Sequence, residues 1–218
     1  NNAAIDFGTS SIGGNLSATA SAGAITQDGG ALTVTGTSAF TTSTNDQAII
    51  LSKTTNALTG AVAFTTAGTA GNVTIDNGTT ALDLAASTIS GTLKATGGAT
   101  AGIVDSGNVA VAGDVTLTTD ANNGVINLNT LQQSAGDLVL TTNGTGDATV
   151  VNNAAIDFGT SSVGGNLSAT ASAGTITQNG GVLTVTGTSA FTTSTNDQAI
   201  TLGDTGNAVN GAGTFTTG

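Results

Sequence analysis

Apolar and polar residues alternate along short stretches of this chain, and each stretch begins at a glycine. The recurring pattern is Gly-x-aliphatic-x-aliphatic, often with Asn or Asp in the second place, as in residues 14–18 (GNLSA), 71–75 (GNVTI) and 107–111 (GNVAV). A period of two residues is typical of a β-strand with one buried face, and no segment keeps the spacing of an amphipathic helix. The pattern predicts an all-β protein. We expect the glycine and its Asn or Asp neighbour to form a tight corner that uses positive φ.

The same strands return in a fixed order over long distances. Residues 1–67 recur almost unchanged as residues 152–218, a period of 151, and a weaker half-period of about 75 residues lies within it. Self-similarity at a fixed period indicates stacked repeats, whereas the strands of sandwiches and barrels differ from one another. The sequence therefore predicts one continuous β-solenoid over residues 1–218, a parallel β-helix whose interior holds Val, Leu, Ile and Ala.

The two near-copies indicate which side chains face inward. Ile50 corresponds to Thr201, while the neighbours of Ile50 correspond to aliphatic residues. Exchange of an apolar residue for threonine is tolerated on a surface, so Ile50 is expected to point outward and Ile49 and Leu51 inward.

The composition excludes most catalytic and metal-binding chemistry. The chain has no Cys, His, Met, Trp, Tyr, Pro, Arg or Glu; its 13 acidic residues are all Asp, its only basic side chains are Lys53 and Lys94, and its net charge is −11. Transition-metal ligands and thiol or imidazole nucleophiles are therefore missing, and nucleic acid would be repelled. No apolar run reaches the ~18 residues of a membrane span. No signal peptide is visible at Asn1, which we interpret as a start inside a repeat of a longer protein.

Carboxylates are the only candidates for catalysis. Asp6, Asp83 and Asp157 occupy the same position in their repeats, which is typical of a structural position used repeatedly. General acid–base catalysis needs differently tuned partners, and none accompanies these residues at a repeated spacing. We expect no enzymatic activity, no catalytic residues and no cofactor.

Calcium and ice are the remaining candidate ligands. Asp137, Asp147 and the pairs Asn45–Asp46 and Asn196–Asp197 offer oxygen atoms at turns, but the nine-residue Gly-Gly-x-Gly-x-Asp calcium repeat is absent. We expect solvated turn carboxylates and no specific metal site, with loose binding of divalent cations left open. Thr33-Val34-Thr35 resembles an ice-binding pattern, but the middle positions of the glycine motif hold Ser, Thr, Ala, Lys and Val, which argues against a regular threonine row.

Residues 13–42 (GGNLSATASAGAITQDGGALTVTGTSAFTT) and 45–68 (NDQAIILSKTTNALTGAVAFTTAG) resemble the repeat region of filamentous-haemagglutinin-like proteins. These are large bacterial exoproteins, many of them exported by two-partner secretion. The resemblance covers essentially the whole chain and implies a right-handed parallel β-helix on an extracellular fibre. The family's N-terminal secretion domain has no counterpart here, and autotransporter passengers share the architecture.

The predicted function is structural: a segment of an extracellular fibre on the bacterial surface. It serves either as an adhesin stalk or as a self-assembling matrix filament. Expected partners are further copies of the chain, joined end to end through open edges or laterally, and the surfaces of host or neighbouring cells. The alternative is a binding module for ice, carbohydrate or a host receptor.

Overall fold

All 218 residues are described by the computed structural model, which contains strands and no helix. Strand pairing is parallel throughout, and partner residues are 19 to 24 positions apart, as for Ala148 with Leu167 and Ile49 with Val73. The chain therefore winds as a parallel β-solenoid of ten coils. Each coil contributes one strand to the ten-stranded sheet. The predicted fold class is confirmed.

Sheet 1 runs through every coil. Its ten strands, in spatial order, are β1 (Ile5–Asp6), β4 (Ile25–Thr26), β7 (Ile49–Leu51), β10 (Val73–Asp76), β13 (Leu93–Gly97), β16 (Val115–Thr119), β18 (Leu138–Thr141), β21 (Ser161–Val163), β24 (Leu183–Val185) and β26 (Ala208–Val209).

Sheet 2 forms a second face along the same axis. Its twelve strands are β3 (Leu16–Ala20), β6 (Ser38–Asn45), β9 (Val62–Ala67), β11 (Leu82–Leu84), β12 (Ser87–Ile89), β14 (Ile103–Asp105), β15 (Val109–Val111), β17 (Ile126–Gln133), β19 (Ala148–Asn152), β22 (Leu167–Ala171), β25 (Ser189–Thr193) and β27 (Gly213–Thr217). Two further short sheets lie towards the two ends of the segment. Sheet 3 contains β2 (Ser10–Ile12), β5 (Leu32–Val34) and β8 (Ala57–Leu58), and sheet 4 contains β20 (Ile156–Asp157) and β23 (Ile176–Thr177).

Inward side chains stack on like side chains of the neighbouring coils. Forty buried apolar residues form one cluster that follows the axis. Phe40 and Phe64 stack with ring centroids 5.8 Å apart, and Phe158 and Phe191 meet edge to face at 6.1 Å. Ile49 and Leu51 are fully buried while Ile50 is 40% exposed, which confirms the expected alternation.

The long repeat and the coil do not match perfectly. Starting from Ile5, seven steps along sheet 1 reach Phe158. The repeat of Ile5 is Ile156, so the 151-residue period falls two residues short of seven coils. Sheet 1 continues from β18 into β21 through the single pair Thr141–Ser162, so β21 and β24 belong to sheet 1, whereas β2 and β5, which they repeat, form sheet 3. The pairing within the two copies is the same: Ile5 pairs with Ile25 as Ile156 pairs with Ile176, and Ser10 pairs with Leu32 as Ser161 pairs with Leu183.

The motif glycines serve a different purpose from the one predicted. Among them only Gly136 has a positive φ, of 82°. At Gly60, an added Cβ would lie 2.5 Å from the carbonyl oxygen of Gly36 in the preceding coil. At Gly165, an added Cβ would lie 2.8 Å from the carbonyl oxygen of Gly146. The expectation of a positive-φ corner is therefore wrong for most of the motif: glycine is required because the backbones of successive coils approach too closely for a side chain.

The Gly60→Ala variant tests this interpretation. We expect it to lower the free energy of unfolding by about 1–3 kcal/mol, because the methyl group would press against the backbone of Gly36 in the preceding coil. The measurement is the guanidinium midpoint followed by circular dichroism. Gly13→Ala is the matched control, since nothing lies within 4 Å of a Cβ added there. Equal midpoints for the two variants would contradict the close-approach explanation.

Candidate functional site

The Asn or Asp of the glycine motif joins one coil to the next. Its side-chain oxygen accepts a hydrogen bond of 2.6–3.0 Å from a backbone N–H in the following coil. The bridges run from Asn15 to Thr37, Asn72 to Thr92, Asp114 to Asp137, Asp147 to Asn166 and Asn166 to Thr188. These side chains therefore supplement the backbone ladder at the corners of the solenoid.

The side-chain amides of two buried asparagines act as a peptide group towards a residue of the preceding coil. Asn77 follows β10, and its Oδ1 accepts from the Leu58 N–H (2.8 Å) while its Nδ2 donates to the Leu58 carbonyl (3.0 Å). Asn152 makes the same pair with the N–H and carbonyl of Gln133, at 2.8 and 3.0 Å. Both asparagines are fully buried. Each side chain thus satisfies backbone groups that would otherwise be orphaned in the interior.

A second type of buried amide contact joins two side chains that belong to neighbouring coils. Gln27 Nε2 donates to Asn56 Oδ1 (2.6 Å), and Asn56 Nδ2 donates to Gln27 Oε1 (3.0 Å). In the other copy, Gln178 and Asn207 form the equivalent pair at 2.7 and 2.8 Å. A reciprocal amide pair uses a donor and an acceptor on each partner, so both can enter the core without unpaired atoms.

The three carboxylates predicted to share a repeat position do not share a structural one. Asp6 Oδ1 accepts from Thr26 Oγ1 at 3.1 Å, and Asp157 Oδ1 accepts from Thr177 Oγ1 at 3.0 Å. Asp83 instead lies on sheet 2, where it pairs with Val104, and its Oδ1 is buried without a partner. The prediction is wrong for Asp83, because three coils carry Ile5 only to Val73 and Asp83 follows on the next face.

The candidate calcium ligands are occupied by backbone contacts or stand at turns. Asp147 Oδ1 accepts from the Asn166 N–H, whereas Asp137 takes part through its backbone N–H, which donates to Asp114 Oδ1. Asp46 and Asp197 adopt left-handed conformations with φ of 63° and 61°. No group of three or more acidic side chains lies together in a geometry that could hold a metal ion.

The outward positions compared for an ice-binding row belong to different faces. Thr33 lies on sheet 3, Lys94 on sheet 1 and Ala63 on sheet 2, so their mixture describes no single row and that premise is wrong. Two residues after Ala63 along its strand, sheet 2 does have an outward row of threonines. This row is formed by Thr19, Thr41, Thr65 and Thr88. The adjacent row holds Ser17, Ala39 and Ala63. A two-dimensional threonine array is therefore not formed there.

Two carboxyl groups have shifted pKa values. The backbone N–H groups of Thr69 and Ala70 donate to Asp46 Oδ1 at 2.7 and 2.8 Å and lower the pKa of Asp46. Burial raises the pKa of Asp76, and the nearby Asp120 acts in the same direction, against a 2.8 Å hydrogen bond from the Gly78 N–H. Charged Asp46 is therefore favoured in the folded chain, and charged Asp76 is disfavoured.

Sequence inspection missed the buried amides, although a signal was present. Asn77 and Asn152 end similar apolar stretches (VTIDN and ATVVN) 75 residues apart, which is the half-period. A polar residue kept at a repeat spacing directly after an inward-facing strand indicates a buried structural role.

A model of one repeat family matches residues 1–65, 70–142 and 145–216. The chain belongs to the family described as Repeats of unknown function (DUF5649). No curated protein and no solved structure matches it. The family description agrees with the stacked coils of the fold but names no activity. The structure also contains no helix that is long and apolar enough to cross a membrane.

The Asn77→Ala variant tests the peptide-replacing role. Truncation leaves the N–H and carbonyl of Leu58 buried without partners, so we expect a loss of about 2–4 kcal/mol in the free energy of unfolding. Asn72→Ala is the matched control, because its single bridge lies at an exposed corner where water can replace it; its expected cost is ~0.5–1.5 kcal/mol. Denaturation midpoints measure both. Equal losses would show that burial of the amide is not the decisive feature.

The Asp76→Asn variant tests the electrostatic effect of burial. Because the folded-state pKa of Asp76 is raised, its charge destabilises the fold at neutral pH, and this cost disappears as the pH falls through the folded pKa towards the unfolded value. Asparagine keeps the oxygen that accepts from Gly78, so the variant is expected to have a higher thermal midpoint at pH 7 and no advantage near pH 3. Asp204→Asn is the control, since Asp204 makes the same contact to Gly206 (2.7 Å) at an exposed turn. A rise of the same size in both variants would attribute the effect to net charge alone.

Proposed function

We propose that this chain is a structural repeat segment of a large secreted bacterial surface protein that forms an extracellular fibre. The observation that carries this proposal is the uninterrupted stack of sheet 1 through all ten coils. Parallel strands are spaced by ~4.8 Å, so ten coils form a rod about 45–50 Å long, and each further coil lengthens it by the same step. Such a protein increases in length without changing its cross-section.

Axial bonding supports a load-carrying role. The backbone hydrogen bonds between coils lie along the rod axis, and the chain contains 117 backbone–backbone hydrogen bonds. The bridges from Asn and Asp at the corners and the buried Asn77 and Asn152 add contacts in the same direction. An axial pull is therefore distributed over several parallel rows of bonds.

Charge supports an extracellular surface location. The net charge of −11 keeps neighbouring rods soluble, and with only two lysines the chain offers few sites to trypsin-like proteases and no surface for nucleic acid. We further propose that it has no enzymatic role, since Asp6 and Asp157 already bind threonine hydroxyl groups of the adjacent coil.

The resemblance to filamentous-haemagglutinin-like repeats supports secretion and attachment. Within this proposal the segment is either a stalk that carries an adhesive domain or a filament that associates with further copies end to end or laterally. A binding module is the second candidate function, and a groove on sheet 2 favours it.

Immunogold electron microscopy of the producing cells, with an antibody raised against residues 1–218, tests the fibre proposal. We expect gold particles in lines on extracellular filaments or stalks, and in the culture supernatant after shearing. Labelling confined to the cell interior would overturn the proposed location. Labelled particles outside the cell that are globular and never linear would overturn the fibre.

A further inference from the structure

Sheet 2 carries a groove on its outer surface across the central coils. Its main part encloses about 470 Å³, and an adjoining part of about 200 Å³ shares Gln132 and Asn153 with it. The floor follows one outward row, in which Thr88, Ala110 and Gln132 are partners on consecutive coils. These volumes are those of an open depression, which would cover one side of a ligand rather than surround it.

One wall of the groove is a turn fixed by a carboxylate. Gly68 and Thr69 follow β9 and line the groove at one end. Asp46, in the preceding coil, accepts from the N–H groups of Thr69 and Ala70, and its left-handed backbone makes room for this contact. The turn is therefore held in place before any ligand arrives.

The other wall is a β-bulge fixed in the same way. The register of β17 against β19 shifts between Leu128 and Leu131, which displaces Asn129 and Thr130 outward. Asp105 accepts from both backbone N–H groups, at 3.0 and 2.7 Å, and from Thr130 Oγ1 at 2.8 Å. Bulges of this kind re-aim side chains at binding sites. The two carboxylates accept these backbone hydrogen bonds and are not among the residues that line the groove.

The residues that line the groove are uncharged, although the chain as a whole has a net charge of −11. The side-chain amides of Gln132 and Asn153 are exposed to different degrees and make no hydrogen bond within the protein; their donors and acceptors are available to a ligand. An anion would meet no positive charge in the lining, and the neighbouring carboxylates of Asp46 and Asp105 are already hydrogen-bonded to the backbone of the walls. An extended peptide would find no free backbone edge, because the strands of this face are paired on both sides.

We propose that this groove binds an uncharged, hydroxyl-rich chain, namely a neutral oligosaccharide, with Gln132 and Asn153 as its hydrogen-bonding residues. Adjacent amide donors and acceptors match neighbouring sugar hydroxyl groups, and the accessible apolar part of the floor, at Ala110 and Ala112, offers a surface for a sugar ring. The site has no aromatic platform, so binding is weak, with Kd on the order of 1 mM. The inference is independent of the fibre proposal, because a monomeric chain could bind the sugar equally well.

Titration of the ¹⁵N-labelled 218-residue chain with cellohexaose, maltohexaose and chitohexaose tests the inference by nuclear magnetic resonance. We expect saturable shifts in the side-chain NH₂ signals of Gln132 and Asn153 with at least one of these sugars. Oligogalacturonate of the same length should give none. Absence of saturable shifts with all three neutral sugars, or shifts with oligogalacturonate alone, would overturn the proposal, as would saturable shifts with an extended polar peptide and no sugar.

Variants of the groove separate a specific site from general surface contact. The Gln132→Ala/Asn153→Ala double variant should bind about tenfold more weakly, since each lost hydrogen bond between uncharged groups has a modest effect. Ala110→Leu should also weaken binding by filling the floor without removing an amide. Gln198→Ala/Asn210→Ala is the matched control, because neither residue lines the groove. Unchanged affinity in both groove variants, or an equal loss in the control, would contradict the assignment.

Discussion

Parallel backbone hydrogen bonding between successive coils is the constraint on which the rest of the structure depends. It places each residue directly against its partner one coil away at ~4.8 Å, so every position must be compatible with its neighbours along the axis. Aliphatic residues satisfy this requirement inside, where Ile49 lies between Ile25 and Val73. At the corners the same spacing leaves no room for a side chain at Gly60. The small alphabet of the chain follows from this repeated self-contact.

Coil length is the variable that the stack can adjust. Partners are 19 residues apart between Ala148 and Leu167 but 24 apart between Ile49 and Val73, and the difference is absorbed in the turns. Because the 151-residue repeat does not equal a whole number of coils, the row of partners that starts at Ile5 reaches Phe158 and not Ile156, the repeat of Ile5. The buried side chains of Asn77 and Asn152 supply peptide-like contacts to the preceding coil. These side-chain amides therefore satisfy irregular backbone positions locally, and the stack of coils continues past them.

The fold could be predicted from sequence because its determinants are local and repeated. Alternation around Ile50 correctly assigned the inward and outward sides, and repetition distinguished a solenoid from a sandwich. The register between coils was not predictable, because it depends on turn lengths that no motif encodes. That is why Asp83 was placed with Asp6, and why Thr33, Ala63 and Lys94 were treated as one row. The groove was missed for the same reason: Gln132 and Asn153 become neighbours only once the coils are aligned.

A structural rod and a ligand-binding surface make different demands on the same coils. Stability comes from the backbone ladder and from the inward residues, which leaves the outward positions free to vary without loss of the stack. Asp46 and Asp105 use that freedom, since each takes up N–H groups of a displaced segment and so permits a departure from the regular surface at no cost in buried unpaired groups. Local departures of this kind are the places where one solenoid can differ in function from another. On the proposed function, a longer fibre that repeated such a groove along its side would need no separate binding domain, because several weak contacts on one rigid rod would reinforce one another.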